Sequence, residues 1–306
     1  MYHEPVLLNK AVSVLNVAKD GVYVDCTLGG GGHFSEILKR TGKSAKVIGL
    51  DRDFDSIEFS RKIISGDPRA VFGVSRFSEL TITLARLGIN SVDGILMDLG
   101  VSSFQIDTAE KGFSFMREGP LSMKMGRSDG APDAEELVNT LPEEKLVDIF
   151  RDYGNVKGPY AAAAMLVKAR RCGRIRSTVD LADAVSGGKR HDYGFLAKIF
   201  QALRIAVNDE MNELRAGLNS AVGLLRGNGR LVVISYHSEE DRIVKNFLRD
   251  EENGCICPVF IPECRCGRKK RFEVLFRKPV RPDEEEITRN PRSRSALLRA
   301  AKKVEE

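Results

Sequence analysis

Short apolar runs and amphipathic segments alternate along the first hundred residues. Four of the runs are continuous enough to predict buried strands, and they cover residues 21–25, 46–51, 70–74 and 94–99. The segments around them have apolar residues at helical spacing, near residues 12–15, 34–40, 55–65 and 80–87. Strands that alternate with helices are typical of βαβ units, so this region predicts a parallel sheet.

The alternation stops after residue 104. A glycine-rich connector and four helical patterns follow, at residues 134–139, 142–152, 159–171 and 178–186, without a convincing strand pattern. A long helix is then predicted over residues 197–225, a strand over 229–235, a helix over 241–250 and a last strand over 271–276. We therefore expect a Rossmann-like domain in two parts, residues 1–104 and 197–306, interrupted by a helical substrate domain over residues 105–196.

Four consecutive glycines, Gly29–Gly32, join the first predicted strand to a helix. Glycine allows a sharp turn and lets a ligand approach the main chain, although many tight turns need it for geometry alone. Asp51 lies twenty residues beyond Gly31, at the end of the next strand, which is the spacing at which a carboxylate binds ribose hydroxyls. Glycine run and carboxylate together predict a cofactor that contains a nucleoside.

The same segment favours S-adenosylmethionine over NAD. The third glycine of the dinucleotide pattern is missing, and Asp25, just before the glycines, would repel a pyrophosphate but tolerate a cationic sulfonium. Phe77, after the third strand, either stacks on the adenine or packs in the core. His33 either begins the helix or lines the pocket.

Composition indicates a globular protein with a sizeable core, since 42% of the 306 residues are hydrophobic and 30% are charged. No apolar run is long enough to span a membrane, and the first residues lack the apolar block of a signal peptide. We expect a cytoplasmic protein without a membrane partner. Four of the six cysteines lie between Cys255 and Cys266 with one-residue spacing inside each pair, which favours reduced thiols over a bound metal.

The net charge of +5 is unevenly distributed. Residues 265–303 contain 14 Lys and Arg against five Asp and Glu, including Lys269, Lys270 and Arg271. A second basic cluster lies in the helical insertion and consists of Lys168, Arg170, Arg171, Arg174 and Arg176. Such clusters indicate either a polyanionic partner or a solvated face.

Residues 25–33 resemble the D-x-T-x-G-x-G-G-H signature of the RsmH (MraW) family, bacterial 16S rRNA cytosine-N4 methyltransferases that depend on S-adenosylmethionine. Residues 93–105, 112–115, 200–208, 233–238 and 290–296 resemble further blocks of that family, in the same order. The resemblance implies an α/β protein with a Rossmann-like class I methyltransferase fold and an inserted helical domain. It also implies methylation of the exocyclic N4 of a decoding-centre cytidine, with 16S rRNA in the 30S subunit as the partner.

The resemblance assigns cofactor contacts residue by residue, to Gly31, Gly32, His33, Asp51, Phe77, Asp98 and Gln105. Catalysis requires groups that localise the lone pair of the cytosine amine, and such groups converge where parallel strands end. Asp98 ends the fourth strand and His237 follows the fifth, so both are catalytic candidates. Asp98 serves the cofactor, the amine or both, and His237 is either catalytic or a structural hydrogen-bond partner.

A base in folded RNA must leave its stack to reach such a site. Phe113, Phe115 and Tyr236 are candidates to stack on it, although a phenylalanine in a glycine-rich loop also anchors the loop. Two other functions remain to be weighed, an NAD-dependent oxidoreductase and a ribosome-assembly factor without catalysis. The glycine pattern argues against the first, and the intact set of Asp51, Asp98 and Gly31–His33 argues against the second. The sequence leaves the oligomeric state open, including a homodimer.

Overall fold

The computed structural model of the chain describes residues 5–126, 130–187, 192–255, 257, 263 and 265–305. The chain divides into two compact units, Met1–Gly100 with Met211–Glu306, and Val101–Glu210. The boundary that the sequence placed between residues 196 and 197 falls inside a helix of the second unit. No helix in the described part of the chain is both long and apolar enough to cross a membrane.

The strands are β1 Val22–Asp25, β2 Lys46–Asp51, β3 Ala70–Val74, β4 Val92–Asp98, β5 Leu225–Ser235, β6 Phe272–Val274 and β7 Leu297–Lys303. The helices are α1 Leu8–Leu15, α2 Gly32–Arg40, α3 Phe54–Ile63, α4 Leu80–Arg86, α5 Ser103–Asp107, α6 Ala134–Thr140, α7 Glu143–Asp152, α8 Pro159–Cys172, α9 Thr178–Ser186, α10 Tyr193–Asn208, α11 Glu210–Leu224, α12 Ser238–Asn253 and α13 Glu284–Arg289.

The first unit contains one seven-stranded sheet in the order β3-β2-β1-β4-β5-β7-β6. Strands β1 to β5 pair in parallel, whereas β7 pairs antiparallel with both β5 and β6. The order reverses between β1 and β4, which is where open α/β sheets bind their ligands. The predicted fold class, an α/β Rossmann-like sheet with an inserted helical domain, is confirmed.

Both faces of the sheet are covered by apolar side chains, and this explains why its central strands are continuously hydrophobic. Neighbouring residues in a strand point to opposite faces. Ile95 and Leu96 of β4 are accordingly both fully buried, yet they belong to two separate core clusters. A parallel sheet buried on both faces therefore follows from runs such as residues 94–99.

Two sequence predictions are wrong. The segment over residues 271–276 is not the last strand, because β7 follows it and lies between β5 and β6. The single helix over residues 197–225 is in fact two helices, which break at Asp209, where the backbone turns left-handed with φ of 49°. Asn and Asp adopt this conformation more readily than other non-glycine residues, so Asn208-Asp209 carried a signal for the break.

The second unit is built from helices around its own core. Phe150, Leu166, Leu181 and Leu203 are completely buried there. Among its described residues, pairing of the strand type is limited to one isolated bridge between Pro120 and Ser177. A helical region without a sheet therefore interrupts the sequence between β4 and β5.

Candidate functional site

Three carboxylates lie at the carboxyl ends of neighbouring parallel strands in the first unit. Asp25 ends β1, Asp51 ends β2 and Asp98 ends β4, and β1 lies between the other two strands. The residues just before each acid are buried and mostly apolar, so the chain buries this part of the strand and leaves the acid at the edge of the sheet. The three side chains therefore lie at one edge of the sheet, next to the point where the strand order reverses between β1 and β4.

Asp51 binds the glycine turn with one carboxylate oxygen and the start of α3 with the other. Its Oδ2 accepts a hydrogen bond of 2.8 Å from the Gly29 amide, and its Oδ1 accepts one of 2.8 Å from the Asp53 amide. Burial raises the pKa of Asp51 to about 6, although the two backbone hydrogen bonds act in the opposite direction. A carboxylate offers about four acceptor positions, so Asp51 can hold the turn and still accept hydrogen bonds from a ligand.

The glycine turn needs its glycines for conformation and for space. Gly29 and Gly31 have φ angles of 48° and 76°, in the left-handed region that side chains disfavour. A Cβ atom at Gly31 would lie 3.0 Å from Ile64, and one at Gly32 would lie 2.7 Å from Pro5. The turn ends at the start of α2, so its packing restricts these positions in addition to any restriction by a ligand.

Asp25 provides an unsatisfied acceptor in the same place. Its side chain is 1% exposed, and its Oδ1 accepts a hydrogen bond of 3.1 Å from the Thr27 amide. Among the residues that the structure describes, its Oδ2 is buried without a hydrogen-bond partner. Burial, reinforced by the nearby charge of Asp51, raises the pKa of Asp25 to about 7. A buried carboxylate with an unpartnered oxygen is costly, and a bound cation would offset that cost.

From the sequence, Asp25 discriminates between cofactors but is not among the predicted site residues. The available signal was an acid at the end of a strand, directly before the glycine run. Its unpartnered oxygen fits the cationic end of S-adenosylmethionine, which carries a sulfonium and an ammonium group. The acceptor oxygens of this site therefore suit the predicted cofactor.

Asp98 is held by a hydroxyl group and lies near a histidine. Its Oδ1 accepts a hydrogen bond of 2.8 Å from the Tyr236 hydroxyl, and its Oδ2 lies 3.7 Å from His33 Nδ1. Burial raises the pKa of Asp98 to about 8, the Tyr236 hydrogen bond lowers it, and the charges of Asp25 and Glu240 raise it further. Asp98 therefore changes between a hydrogen-bond donor and an acceptor near neutral pH, which is typical of groups that exchange protons at functional sites.

His33 lies inside the site, and its ring orientation is fixed. Its Nε2 lies 3.0 Å from the Val6 carbonyl oxygen, so Nε2 carries the hydrogen in the neutral ring. Nδ1 is then the acceptor nitrogen that faces Asp98. The ring is 5% exposed and belongs to the first turn of α2, so both sequence interpretations, a residue at the helix start and a residue that lines the pocket, describe its position.

His237 is the N-cap of α12. Its Nδ1 accepts a hydrogen bond of 3.4 Å from the Glu240 amide, and its own amide donates to Glu240 Oε2. Its Nε2 lies 3.2 Å from Glu240 Oε1. Both ring nitrogens thus face Glu240, so the geometry favours the structural role. The catalytic role of His237 stays a prediction.

Phe77 and Gln105 complete the predicted cofactor contacts. Phe77 begins a short 3-10 turn after β3, is partly buried and packs against α11, where a Cβ atom at Gly217 would lie 2.9 Å from its own Cβ. Gln105 belongs to the second unit, where its side chain accepts a hydrogen bond of 3.1 Å from the Ser102 amide at the start of α5. The cofactor roles of both residues stay predictions.

The candidate stacking residues differ in their surroundings. Phe113 and Phe115 pack against the core of the second unit, and Phe115 lies 5.4 Å from Phe200 and 6.0 Å from Tyr193 between ring centroids. These contacts fit the anchoring interpretation of the glycine-rich loop. Tyr236 is instead bonded to the carboxylate of Asp98.

The basic cluster of the insertion separates into structural and exposed side chains. Arg170 donates to the carbonyl oxygens of Val138 and Leu141 at 2.9 and 2.8 Å, which satisfies the carboxyl end of α6. Arg174 forms an ion pair of 2.6 Å with Glu135. Lys168 and Arg171 are exposed, and among the described residues their side chains make no hydrogen bond or ion pair. Arg176 is exposed as well.

Much of the positive charge in residues 265–303 is used inside the first unit. Arg268 and Arg271 bind Glu251, which is 4% exposed. Arg299 of β7 binds Asp241 of α12, and Lys303 donates to the Val222 carbonyl oxygen at 2.9 Å. Lys269 and Lys270 are exposed. The net positive charge of residues 265–303 is therefore larger than the number of their basic side chains that remain exposed to bind a polyanion would suggest.

Comparison with known proteins gives one consistent result. The sequence pattern of the MraW methylase family matches residues 1–304. Three similar curated proteins carry the name Ribosomal RNA small subunit methyltransferase H. The protein from Carboxydothermus hydrogenoformans is 47% identical, over 99% of this chain and 98% of its own length. Those from Geobacter sulfurreducens and Halothermothrix orenii are 44% and 41% identical, over 99% of this chain and 99% and 98% of their lengths. The predicted family is confirmed, and with it a methyltransferase that uses S-adenosylmethionine.

Proposed function

Because this chain belongs to the MraW methylase family, we propose that it methylates the exocyclic N4 of a decoding-centre cytidine in 16S rRNA of the 30S subunit. The observation that supports this proposal most directly is Asp98, a nearly buried carboxylate with a pKa near 8 that is held by Tyr236. The names of the relatives support small-subunit rRNA as the substrate. The chosen nitrogen and nucleotide follow from the family resemblance of the motifs.

The first unit supplies the residues that would hold the cofactor. Asp51 offers acceptor oxygens for the ribose hydroxyls, and the turn at Gly29–Gly32 allows close approach to the main chain. Asp25 offers its unpartnered Oδ2 to the cationic end. When bound, S-adenosylmethionine supplies a methyl group activated by its positively charged sulfur.

Asp98 acts on the nucleophile. The lone pair of the cytosine amine is delocalised into the ring, and a carboxylate that accepts a hydrogen bond from the amine makes this pair more available. The Tyr236 hydroxyl fixes the other carboxylate oxygen, so Asp98 needs no reorganisation during the reaction. A carboxyl group with a raised pKa can then take the proton that the amine loses once it has been methylated.

Tyr236 and His33 position Asp98. Tyr236 donates to Oδ1, and His33 presents Nδ1 towards Oδ2 at 3.7 Å. With its hydrogen on Nε2, the neutral His33 ring can accept the proton of a protonated Asp98. Tyr236 therefore suits the ionised carboxylate, and the neutral His33 ring suits the protonated carboxyl group.

Transfer of labelled methyl from S-adenosylmethionine to 30S subunits that lack the modification tests this proposal. The subunits are digested to nucleosides, and chromatography with mass spectrometry separates N4-methylcytidine from isomers of equal mass. We expect the label in N4-methylcytidine, with little transfer by the Asp98→Asn variant. Label in another nucleoside would refute the nitrogen assignment. No transfer, together with tight 30S binding, would favour an assembly factor.

A further inference from the structure

Three cysteines meet in the loop that follows α12, on residues that take no part in the candidate site. The sulfur atoms of Cys255, Cys257 and Cys266 all lie within 4.8 Å of one another. Cys266 Sγ and Cys255 Sγ are 3.9 Å apart. Cys264, the remaining cysteine of this segment, lies outside the described residues.

The Cys255–Cys266 distance matches a tetrahedral metal site, and Cys257 Sγ lies within 4.8 Å of both other sulfurs. Zinc binds thiolate sulfur at about 2.3 Å, which places two sulfur ligands about 3.8 Å apart in a tetrahedron. A disulfide would require about 2.0 Å between the sulfurs. Unrelated side chains at a loop surface have no reason to bring three sulfurs to the spacing of a coordination sphere. The cluster has the geometry of ligands around one ion.

Two backbone amides also point towards sulfur atoms of the cluster. The Cys257 amide lies 3.4 Å from Cys255 Sγ, and the Arg265 amide lies 3.4 Å from Cys257 Sγ. A hydrogen bond from an amide to sulfur stabilises the charged form of a thiol. Arg265 and its neighbours Arg268, Lys269 and Lys270 add positive charge in the sequence next to Cys266, and three thiolates around a divalent ion would leave one negative charge to offset.

The base of the loop is closed independently of the cysteines. A Cβ atom at Gly254 would lie 2.5 Å from the Lys270 amide nitrogen, and the Arg271 amide donates to the Glu251 carbonyl oxygen at 2.9 Å. Arg268 and Arg271 bind the Glu251 side chain as well. The two arms that carry the cysteines are therefore held together, and a metal ion would not have to meet the full entropic cost of closing the loop.

We propose that Cys255, Cys257 and Cys266 bind one zinc ion through their thiolates, with one further donor, as a structural site. Each thiol loses its proton on binding, so zinc uptake releases protons and weakens at low pH. The one-residue spacing inside each cysteine pair favours reduced thiols when the sequence is considered alone. The geometry changes that interpretation because the third ligand comes from the opposite arm of the loop.

Zinc content of the full chain tests the site. The protein is expressed with zinc and freed of loosely bound metal by gel filtration. Its zinc content is then measured by inductively coupled plasma mass spectrometry. We expect roughly one zinc per chain in the wild type, as in structural zinc sites, and loss of zinc in Cys257→Ser and Cys266→Ser. Cys172→Ser is the matched control, because Cys172 is an exposed cysteine of α8 outside the cluster.

A second measurement does not depend on whether the variants fold. Cobalt is titrated into wild-type protein that has been stripped by a chelator, and tetrahedral thiolate binding gives charge-transfer and intense visible bands that zinc then abolishes. The melting temperature should rise with the ion, because a ligand that binds only the folded state stabilises it. A wild-type protein without zinc, without cobalt bands, or with a Cys255–Cys266 disulfide would overturn the proposal.

Discussion

The carboxylates at the ends of β1, β2 and β4 and the basic side chains of α8 are two concentrations of charge that the fold treats differently. Asp25, Asp51 and Asp98 are largely withdrawn from water, and their pKa values rise to between about 6 and 8. Lys168 and Arg171 remain in solvent. Burying like charges together is costly, so the acidic cluster persists only where a cation or a function offsets that cost.

Exposure of a basic side chain costs almost nothing and therefore says less about function. Within one short segment, Arg170 satisfies carbonyl groups of α6, Arg174 pairs with Glu135, and Arg171 remains exposed. Reversal of Arg170 would damage the fold and would mimic a loss of RNA binding. Single substitutions can therefore test the role of a buried charged residue, whereas a substitution of an exposed charged residue needs a matched control variant.

The largest effect is expected from Asp98→Asn. Loss of one preorganised electrostatic contact typically lowers the rate about 10²–10³-fold, and asparagine keeps the shape of the side chain but not its charge. Single-turnover methylation of 30S subunits at saturating S-adenosylmethionine measures this rate. If saturating cofactor restores the wild-type rate, Asp98 serves only cofactor binding and the acidic cluster has no catalytic member.

Asp51→Ala should weaken cofactor binding next most strongly. A lost hydrogen bond to a charged acceptor costs roughly 1.5–3 kcal/mol, about 10-fold to 100-fold in the dissociation constant. Calorimetry with S-adenosylhomocysteine measures the change. Glu144→Ala removes one exposed acid from α7 and should leave affinity unchanged. Equal affinities for Asp51→Ala and the wild type would refute the ribose assignment.

The pH dependence of methylation should follow Asp98. The ionised carboxylate is the active acceptor, and its fraction falls about tenfold for each pH unit below the pKa. Since the pKa of Asp98 is about 8, kcat/KM should rise with pH and level off above this value. Tyr236→Phe removes a hydrogen bond that lowers this pKa, so its profile should shift to higher pH. If kcat/KM stays constant between about pH 6 and 9, Asp98 does not act as the acceptor.

Lys168→Glu with Arg171→Glu should have a smaller effect that is specific to RNA. Each lost phosphate contact reduces the slope of log affinity against log salt by about 1. Binding of 30S subunits across a salt series measures the slope, and cofactor affinity should not change. Lys145→Glu with Lys157→Glu is the control, because both are exposed lysines of the second unit outside the cluster. Equal slopes for the two double variants would make the cluster a solvated face.

His237→Ala should have the smallest effect, on stability. Loss of an N-cap costs about 1 kcal/mol, and asparagine is among the best N-cap residues. The structural role therefore predicts that His237→Asn restores both the unfolding midpoint in urea and the methylation rate. A stable but inactive His237→Asn variant would instead establish a catalytic imidazole.

The sequence predicted the strands and site residues that depend on the local residue pattern. Residues 94–99 predicted β4 because a strand buried on both faces must be apolar, and Asp51 and Asp98 were identifiable as acids at strand ends. The strand β7 was missed because its alanines and lysines carry no strand signal. Its burial comes from β5 and β6, which are distant in the sequence.

Side-chain partners were the least predictable feature. The Glu240 partner of His237 is three residues away, so a capping box could have been recognised in the sequence. The partners of Arg170 and Arg271 lie 32 and 20 residues away, and no local pattern identifies them. A cluster of charged residues in a sequence therefore predicts where charge is concentrated, but it does not predict which partner each side chain binds.

The position of β7 has a consequence for synthesis on the ribosome. β5 is complete at residue 235, but the strand that covers its outer edge begins at residue 297. While the intervening residues are made, β5, whose residues 231–234 are apolar, presents unpaired amide and carbonyl groups, which is the feature that promotes pairing between nascent chains. We therefore expect chains that stop before Leu297 to aggregate, and the cell to depend on a chaperone during this interval.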